Sequence, residues 1–394
     1  MTVKLEKVSP LTNEYLESIG FVWHTDSDNS SYISDELVLI NQAQAEAFYE
    51  ATNELYDMFT NAGQHVIDND LFHELNIPFN LVEIIKESWE NDVHWHLYSR
   101  FDLAGGIDDK PIKLIEFNAD TPTSLFETAI IQWAILKKNG LDESSQFNNL
   151  YEALKDNFKR IITLDSDIEK FSEYYSNLGW KILFSSISSS NEDINTTKLL
   201  QHIANEAGFN TDFEFIENVN FSDDGIFKED NFFEFWFKLI PWEDIGIQES
   251  ELALILTEVI KEKKAIILNP AYTLIFQSKA IMKILWDLYP NHPLLLETSY
   301  EPLIGKKYVE KRAFGREGAN TKIINSDGSV DEETKGEYEG HKAIYQEYVE
   351  FPKDEKGNFY QAGVFYSYEA CALGFRRGGK ILNNMSKFVG HIIK

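Results

Sequence analysis

Residues 93–124, VHWHLYSRFDLAGGIDDKPIKLIEFNADTPTS, carry the pattern on which the fold reading rests. From Val93 the residues alternate, with Trp95, Leu97, Phe101 and Leu103 on one face and His94, His96 and Tyr98 on the other, which predicts a strand. Gly105 to Lys110 reads as a hairpin turn and Ile112 to Phe117 as a second alternating run, so the two segments are expected to pair antiparallel. Arg100 and Asp102 then share a face of the first strand, and Glu116 and Asn118 share a face of the second. The 13 residues between Asp102 and Glu116 are few enough to bring them together. Two carboxylates and an amide oxygen form a set of hard ligands of the kind that holds magnesium in nucleotide enzymes, with phosphate oxygens and water completing the octahedron. A salt bridge between Arg100 and Glu116 across the hairpin is the competing reading.

Outward from this hairpin, the first 90 residues read as mostly helical, with helical spacing over Gln42 to Phe59 and Ile77 to Trp89, and carry no obvious chemistry. Thr123 to Lys138 predicts a helix closed by Asn139-Gly140. Between about Asp165 and Pro270, strand-length apolar runs (Trp180 to Phe184, Phe213 to Ile216, Ala265 to Leu268) alternate with helical patterns (Thr196 to Ala207, Glu251 to Lys261). That order predicts a small α/β lobe with largely parallel strands. Asp223, Asp224, Glu229 and Asp230 read as a solvated loop, and the serine-rich Ser185 to Ser190 as a strand-to-helix loop. Further on, Ser278 to Leu288 reads as a helix, and Tyr308 to Lys311, Ile344 to Val349 and Gln361 to Tyr366 as strands. Ser326 to Tyr338 reads as a polar loop. The whole is an α+β or α/β chain, organised as one unit over 1–394 with sub-lobes 1–163, 164–270 and 271–394.

Bulk properties narrow the function. With 394 residues and 43% hydrophobic content the chain can bury a sizeable core. A net charge of -29 argues against nucleic acid, whose phosphates are bound by neutralising them. The same charge suits either steering of a cationic amine or plain solubility. Met1 to Pro10 holds no apolar run of the signal-peptide kind, and nothing later approaches the roughly 18 apolar residues of a membrane span, so a cytoplasmic location is expected. A single cysteine, Cys371, excludes an internal disulfide framework and any multi-thiolate zinc site.

A second chemical cluster follows Tyr308-Val309-Glu310-Lys311. The loop Ala313-Phe314-Gly315-Arg316-Glu317-Gly318-Ala319-Asn320 combines glycines, which let backbone N–H groups approach phosphate oxygens, with a cation. It is not a P-loop, which ends in Gly-Lys followed by Ser or Thr. Alone it is equally a glycine-rich turn with a solvated arginine, and Lys279 and Arg376-Arg377 alone are ordinary surface charges.

Taken together and in this order, Arg-Phe-Asp, Glu-Phe-Asn-Ala-Asp-Thr-Pro-Thr-Ser, Ser278-Lys279 before a helix carrying Leu285-Trp286, Tyr-Val-x-Lys and Gly-Arg-Glu-Gly-Ala-Asn resemble the synthetase domain of the glutathionylspermidine synthase family, a branch of the ATP-grasp ligases, over nearly the whole chain. The resemblance implies an ATP-grasp-type catalytic fold with an added small pre-ATP-grasp-like α/β lobe. It implies an ATP- and magnesium-dependent carboxylate-amine ligase that works through an acyl phosphate, with two magnesium ions. Asp102, Glu116 and Asn118 match its metal ligands, and Lys279 and Lys311 match the lysines that hold ATP phosphates, beside Gly315 and Gly318. Arg100, Arg316 and Arg376 match the arginines facing the transferring phosphoryl group and the acyl intermediate. Thr121 and Thr123 fall where small hydroxyl residues flank the reacting carboxylate. Gln346, Glu347 and Val349 fall in the adenine hinge. A lid over the nucleotide, from Arg316 towards Glu339, is also implied.

The substrates would be a small-molecule or peptide carboxylate and an amine, a polyamine among the candidates. No partner protein and no oligomeric state follow from the sequence. The chain reads as a ligase-only form without the amidase half of bifunctional members, and Cys371 reads as a small buried residue rather than a nucleophile. His94 and His96 have no third ligand and read as an ordinary strand face. An ATP-dependent phosphotransferase, or a nucleotide-binding module with a decayed site, is the alternative.

Overall fold

In the computed structural model, which describes residues 2–164 and 168–394, the hairpin at the centre of the sequence reading is present. Strand Ser99–Ala104 pairs antiparallel with Lys113–Asn118, and Arg100 stands opposite Asn118 and Asp102 opposite Glu116. These strands lie at one side of a five-stranded antiparallel sheet, followed by Phe359–Ser367, Glu369–Gly378 and Lys387–Val389. Helix Gln42–Asn69 packs on this sheet. It starts at a capping box in which Asn41 and Gln44 satisfy each other's backbone N–H groups, and it buries Phe48, Leu55, Phe59 and Val66.

Strand pairing begins at Ser99, not at Val93. The reason is local: the Asn269 side chain accepts from the N–H of Leu97 at 2.9 Å, and Asn157 donates to the carbonyls of His96 and Leu97 at 3.1 and 2.6 Å. Side-chain amides thus take backbone groups that a ladder would use.

The small α/β lobe is as expected in kind. Its four strands, in the order Ile266–Leu268, Phe235–Lys238, Lys181–Ser186 and Asn210–Phe215, are all parallel. Helix Asn191–Ala207 packs on two of them, and helix Ser250–Lys261 precedes the edge strand. Asp165, where that lobe was expected to begin, lies outside the described residues. Asp223, Asp224, Glu229 and Asp230 lie at the turns of a small antiparallel meander, Asn220–Ser222, Gly225–Lys228 and Asn231–Phe233.

A second five-stranded antiparallel sheet runs Thr298–Ser299, Ala343–Glu347, Tyr308–Arg312, Lys322–Ile324 and Val330–Glu333. The last strand falls inside the segment read as a loop. It is an edge strand whose residues are exposed or half-buried, so no hydrophobic alternation marks it. The first 90 residues are also less helical than expected, because Glu36–Ile40 is a strand, paired antiparallel with Leu5–Lys7 and parallel with His391–Ile393. Among the described residues no helix is long and apolar enough to cross a membrane.

Candidate active site

The three layers meet around one cavity of about 590 Å³. Its walls hold most of the residues singled out in the sequence: Arg100, Asp102, Glu116, Asn118, Thr121, Thr123, Lys311, Arg316, Gly318, Gln346, Glu347, Val349 and Arg376. Lys279 and Gly315 do not line it. They stand behind the wall, where the Lys279 ammonium donates to the Gly315 carbonyl at 2.6 Å and pairs with Glu116 at 3.2 Å.

The hairpin places its polar face into the cavity. Arg100 grips Asp102 with two bonds, Nε to Oδ1 at 2.7 Å and Nη2 to Oδ2 at 3.0 Å, and its Nη1 donates to the Thr123 carbonyl at 2.6 Å. The Asn118 amide donates to Asp102 Oδ2 at 3.2 Å. Arg100 therefore pairs along its own strand with Asp102, and Glu116 pairs with Lys279 instead of Arg100. Burial alone would raise the Glu116 carboxyl, but the charges of Lys279 and Lys311, the hydrogen bond from Lys279 and the charge of Arg100 outweigh it and hold Glu116 well below the usual carboxylate range. Burial pushes the Lys311 ammonium down to about 8, with Glu116 pulling the other way. Lys311 also donates to the Ile115 carbonyl at 2.9 Å, which ties the second antiparallel sheet to the hairpin.

Beyond the hairpin the chain is clamped. Gln277 accepts from the N–H groups of Ala119 and Asp120 at 2.9 and 3.2 Å. Asp120 takes the fully buried Lys238 ammonium at 2.9 Å and the Trp242 N–H at 2.8 Å. Thr121 follows, and its hydroxyl accepts from Arg316 Nη1 at 3.2 Å, while Arg316 Nη2 is paired with Glu243. Gly318 has φ of 68°, and a side chain there would collide with the Leu382 carbonyl, so the glycine loop needs a glycine to approach the 379–386 segment. Arg376 donates to the Asn383 carbonyl of that same segment at 2.7 Å. Gln346, opposite Val309 in the second sheet, donates weakly to the Leu114 carbonyl at 3.5 Å.

Several cavity residues were not found from sequence. Trp23, Asp26 and Tyr32 come from the N-terminal segment taken to carry no chemistry. Trp23 is fixed by a hydrogen bond of its Nε1 to Glu127 at 3.0 Å, and Glu127 begins a π-helical turn, Glu127–Ile131, inside the helix expected over Thr123 to Lys138. Glu192 and Asp193 line the cavity from the first turn of helix Asn191–Ala207, where Ser190 caps the N–H of Asp193 at 3.2 Å. Burial raises the carboxyls of Glu192 and Asp193, and the neighbouring Glu127 and Asp193 charges push Glu192 further. A usable clue existed for these two: they follow the carboxyl end of a parallel strand, where open α/β sheets hold their ligands.

Among the described residues no group of three or more His, Cys, Asp or Glu gathers as a metal site. His94 and His96 are buried, and burial lowers both rings to about 4, so neither is a charged surface group. His96 bonds to Tyr56 at 3.0 Å and to the Tyr98 carbonyl at 3.1 Å, which makes it a packed histidine. Cys371 is buried as expected.

Comparison with known proteins agrees with this architecture. The family profile described as glutathionylspermidine synthase preATP-grasp matches residues 3–394. A Haemophilus influenzae protein that carries the provisional name acid–amine ligase is 28% identical over 396 residues, covering 96% of this chain and 95% of its own length. The bifunctional glutathionylspermidine synthetase/amidase of Escherichia coli is 26% identical over 392 residues. That match takes in 92% of this chain but 58% of the Escherichia coli enzyme. Among solved structures, a glutathione synthetase-like effector from Globodera pallida superposes with a TM-score of 0.57 at 11% identity, covering 97% of this chain and 95% of that one, which is a likeness of fold. From its N-terminal strand to its last residues, the chain belongs to the glutathionylspermidine synthase family.

Proposed function

We propose that the chain is an ATP- and magnesium-dependent ligase that joins a carboxylate to an amine through an acyl phosphate, on an ATP-grasp-type fold. It would form one unit over 1–394, with sub-lobes 1–163, 164–270 and 271–394. The observation that carries this reading is the single cavity that unites Asp102, Glu116 and Asn118 with Lys311, Arg100, Thr121, Thr123 and Arg316. Membership in an acid–amine ligase family supports it.

The donor set fits magnesium. Asp102 faces Glu116 across the hairpin and Asn118 lies two residues on, so two carboxylates and an amide oxygen would supply the partial oxygen shell that this ion uses while keeping phosphate and water ligands. Bound there, two magnesium ions would neutralise charge on the phosphate oxygens. Asp102, Glu116 and Asn118 would hold the metal, and Lys279 and Lys311 would hold the phosphates beside the glycine loop. Gln346, Glu347 and Val349 would flank the adenine.

The substrate carboxylate would sit near Thr121 and Thr123, and one of its oxygens would bond to the terminal phosphorus as ADP leaves. An amine nitrogen then bonds to the carbonyl carbon, phosphate leaves, and the amine gives up a proton. Arg100, Arg316 and Arg376 would meet the negative charge that builds on the acyl and phosphoryl oxygens. Glu192 and Asp193, with Trp23 and Tyr32 on the same cavity wall, would meet a cationic amine, whose charge would favour the ionised form of carboxyls that burial otherwise raises. A polyamine is in keeping with the name of the Escherichia coli relative. Closure of the segment after Arg316 would exclude water from the acyl phosphate.

The test is to incubate purified protein with ATP, magnesium and a panel of acids and amines, and to follow ADP, phosphate and product. ADP release that needs both an acid and an amine, with a new amide in the product, establishes the ligase. Transfer of phosphate to a stable acceptor, with no amide, would replace it by a phosphotransferase. Absence of ATP binding would sink the nucleotide reading altogether.

A further inference from the structure

Arg316 is a cavity cation carried on a loop, flanked by Gly315 and Gly318, between strands Tyr308–Arg312 and Lys322–Ile324. Its guanidinium spans two fixed points. One is the Thr121 hydroxyl at 3.2 Å, and the other is the carboxylate of Glu243. Glu243 is 3% exposed and sits in the first turn of helix Trp242–Gln248, directly after Pro241. Both anchors are rigid for one reason: Asp120, next to Thr121, holds the Trp242 N–H, next to Glu243, and the buried Lys238 ammonium.

Glu243 Oε1 is paired with Arg316, while its Oε2 is buried with no hydrogen-bond partner. A carboxylate kept out of water with one oxygen unpartnered is costly unless a cation offsets it, and Arg316 is its one ion-pair partner among the described residues. The pairing also acts on the arginine: burial works against the charged guanidinium, but the Glu243 charge and hydrogen bond raise its pKa above the usual value.

We infer that Glu243 is a positioning residue for the ligase reaction, holding Arg316 against Thr121 so that the guanidinium faces the phosphoryl group in flight. The inference rests on the proposed function. A buried carboxylate and a hydroxyl sharing the arginine fix its aim, so no reorientation is needed as charge builds. Lys279 and Lys311 serve ground-state phosphate instead, so the two effects separate. Loss of Glu243 should leave nucleotide binding nearly intact and weaken only what resembles the transition state.

The experiment measures binding of magnesium ADP with and without aluminium fluoride, a planar mimic of the transferring phosphoryl group, to wild type, Glu243→Gln, Arg316→Ala and the double variant. Thermal melts check that each is folded. Wild type should bind ADP more tightly with aluminium fluoride. Glu243→Gln should keep ADP affinity within about twofold while losing about tenfold of the enhancement, and the double variant should lose no more than Arg316→Ala alone. Retained enhancement in Glu243→Gln beside its loss in Arg316→Ala, or losses that multiply in the double variant, would overturn the proposal. In parallel, trypsin cleavage after Arg316 in the nucleotide-free protein should be faster in Glu243→Gln, and an unchanged rate would mean that Glu243 does not hold the arginine. Failure of wild type to bind ADP would count against the ligase reading, and the trypsin rate would then judge the Glu243–Arg316 contact by itself.

Discussion

Lys279 stands 3.2 Å from Glu116, so a lysine matched to phosphate binding and a carboxylate matched to metal binding neutralise each other. The pair explains how an ionised carboxylate is tolerated in this half-buried place. On the proposed function, both groups would exchange partners when magnesium and nucleotide bind.

Glu116→Gln keeps the shape of the side chain and removes its charge. The magnesium concentration for half-maximal ATP turnover should rise by about tenfold or more, and the melting temperature should fall, because the buried Lys279 and Lys311 lose their counter-charge. A magnesium titration of ATP consumption measures this, and an unshifted midpoint would remove Glu116 from the ligand set.

Lys311 should make nucleotide binding sensitive to alkali. In the folded protein its ammonium titrates at about 8, below its ordinary value of 10.5. Below about 8 the charge is present in folded and unfolded chains alike and its burial costs stability. Between 8 and 10.5 the folded protein has released the proton and the unfolded chain has not, so this contribution to stability grows as pH rises. Phosphate binding has the opposite sign, because it needs the cation. ATP affinity should fall by up to about tenfold per pH unit above pH 8 in wild type and stay flatter in Lys311→Arg, as followed by calorimetry. A flat wild-type profile would show that Lys311 does not meet the phosphates.

The buried pair of Lys238 and Asp120 should govern stability more than the exposed ion pairs do. Asp120→Ala leaves the ammonium without a carboxylate and the Trp242 N–H without an acceptor, and should cost about 3–5 kcal/mol. Lys238→Met together with Asp120→Leu should cost less than the sum of the single changes. Urea unfolding measures both, and additive losses would show that the two groups act independently.

Cys371 should be inert. Burial raises its thiol far above the usual range. In the native protein it should react with a thiol reagent only on unfolding, and Cys371→Ser should retain ligase turnover. Rapid labelling of the folded protein would contradict the packing described above.

The hairpin was legible because period-2 alternation and a glycine turn fix both face and partner. Once those are known, Asp102 must stand near Glu116 and Arg100 near Asn118. The parallel lobe was legible for a similar reason, since alternating strand and helix patterns constrain topology. Trp23 and Tyr32 were not legible. Tyr32 reaches the site through backbone pairing with Phe388, whose N–H donates to its carbonyl at 3.0 Å, and nothing local announces a contact across more than 350 positions. Glu243 was missed because a buried acid beside Pro241 looks like any helix start. Its meaning lies in an arginine 73 residues further on. The Val330–Glu333 strand was missed because an exposed edge needs no apolar face.

The order of strands in the central sheet bears on how the protein is made. Ser99–Ala104, which carries Arg100 and Asp102, is flanked on one side by a near neighbour and on the other by Phe359–Ser367. During synthesis the ribosome must add some 250 residues before that second flank emerges. Until then the nascent chain carries an unpaired strand edge, open to wrong pairing with other chains, and its catalytic half-site is no more than a hairpin. Assembly of the site is therefore among the last events of folding. A premature stop shortly before Phe359 should yield not a weak enzyme but a chain prone to aggregate.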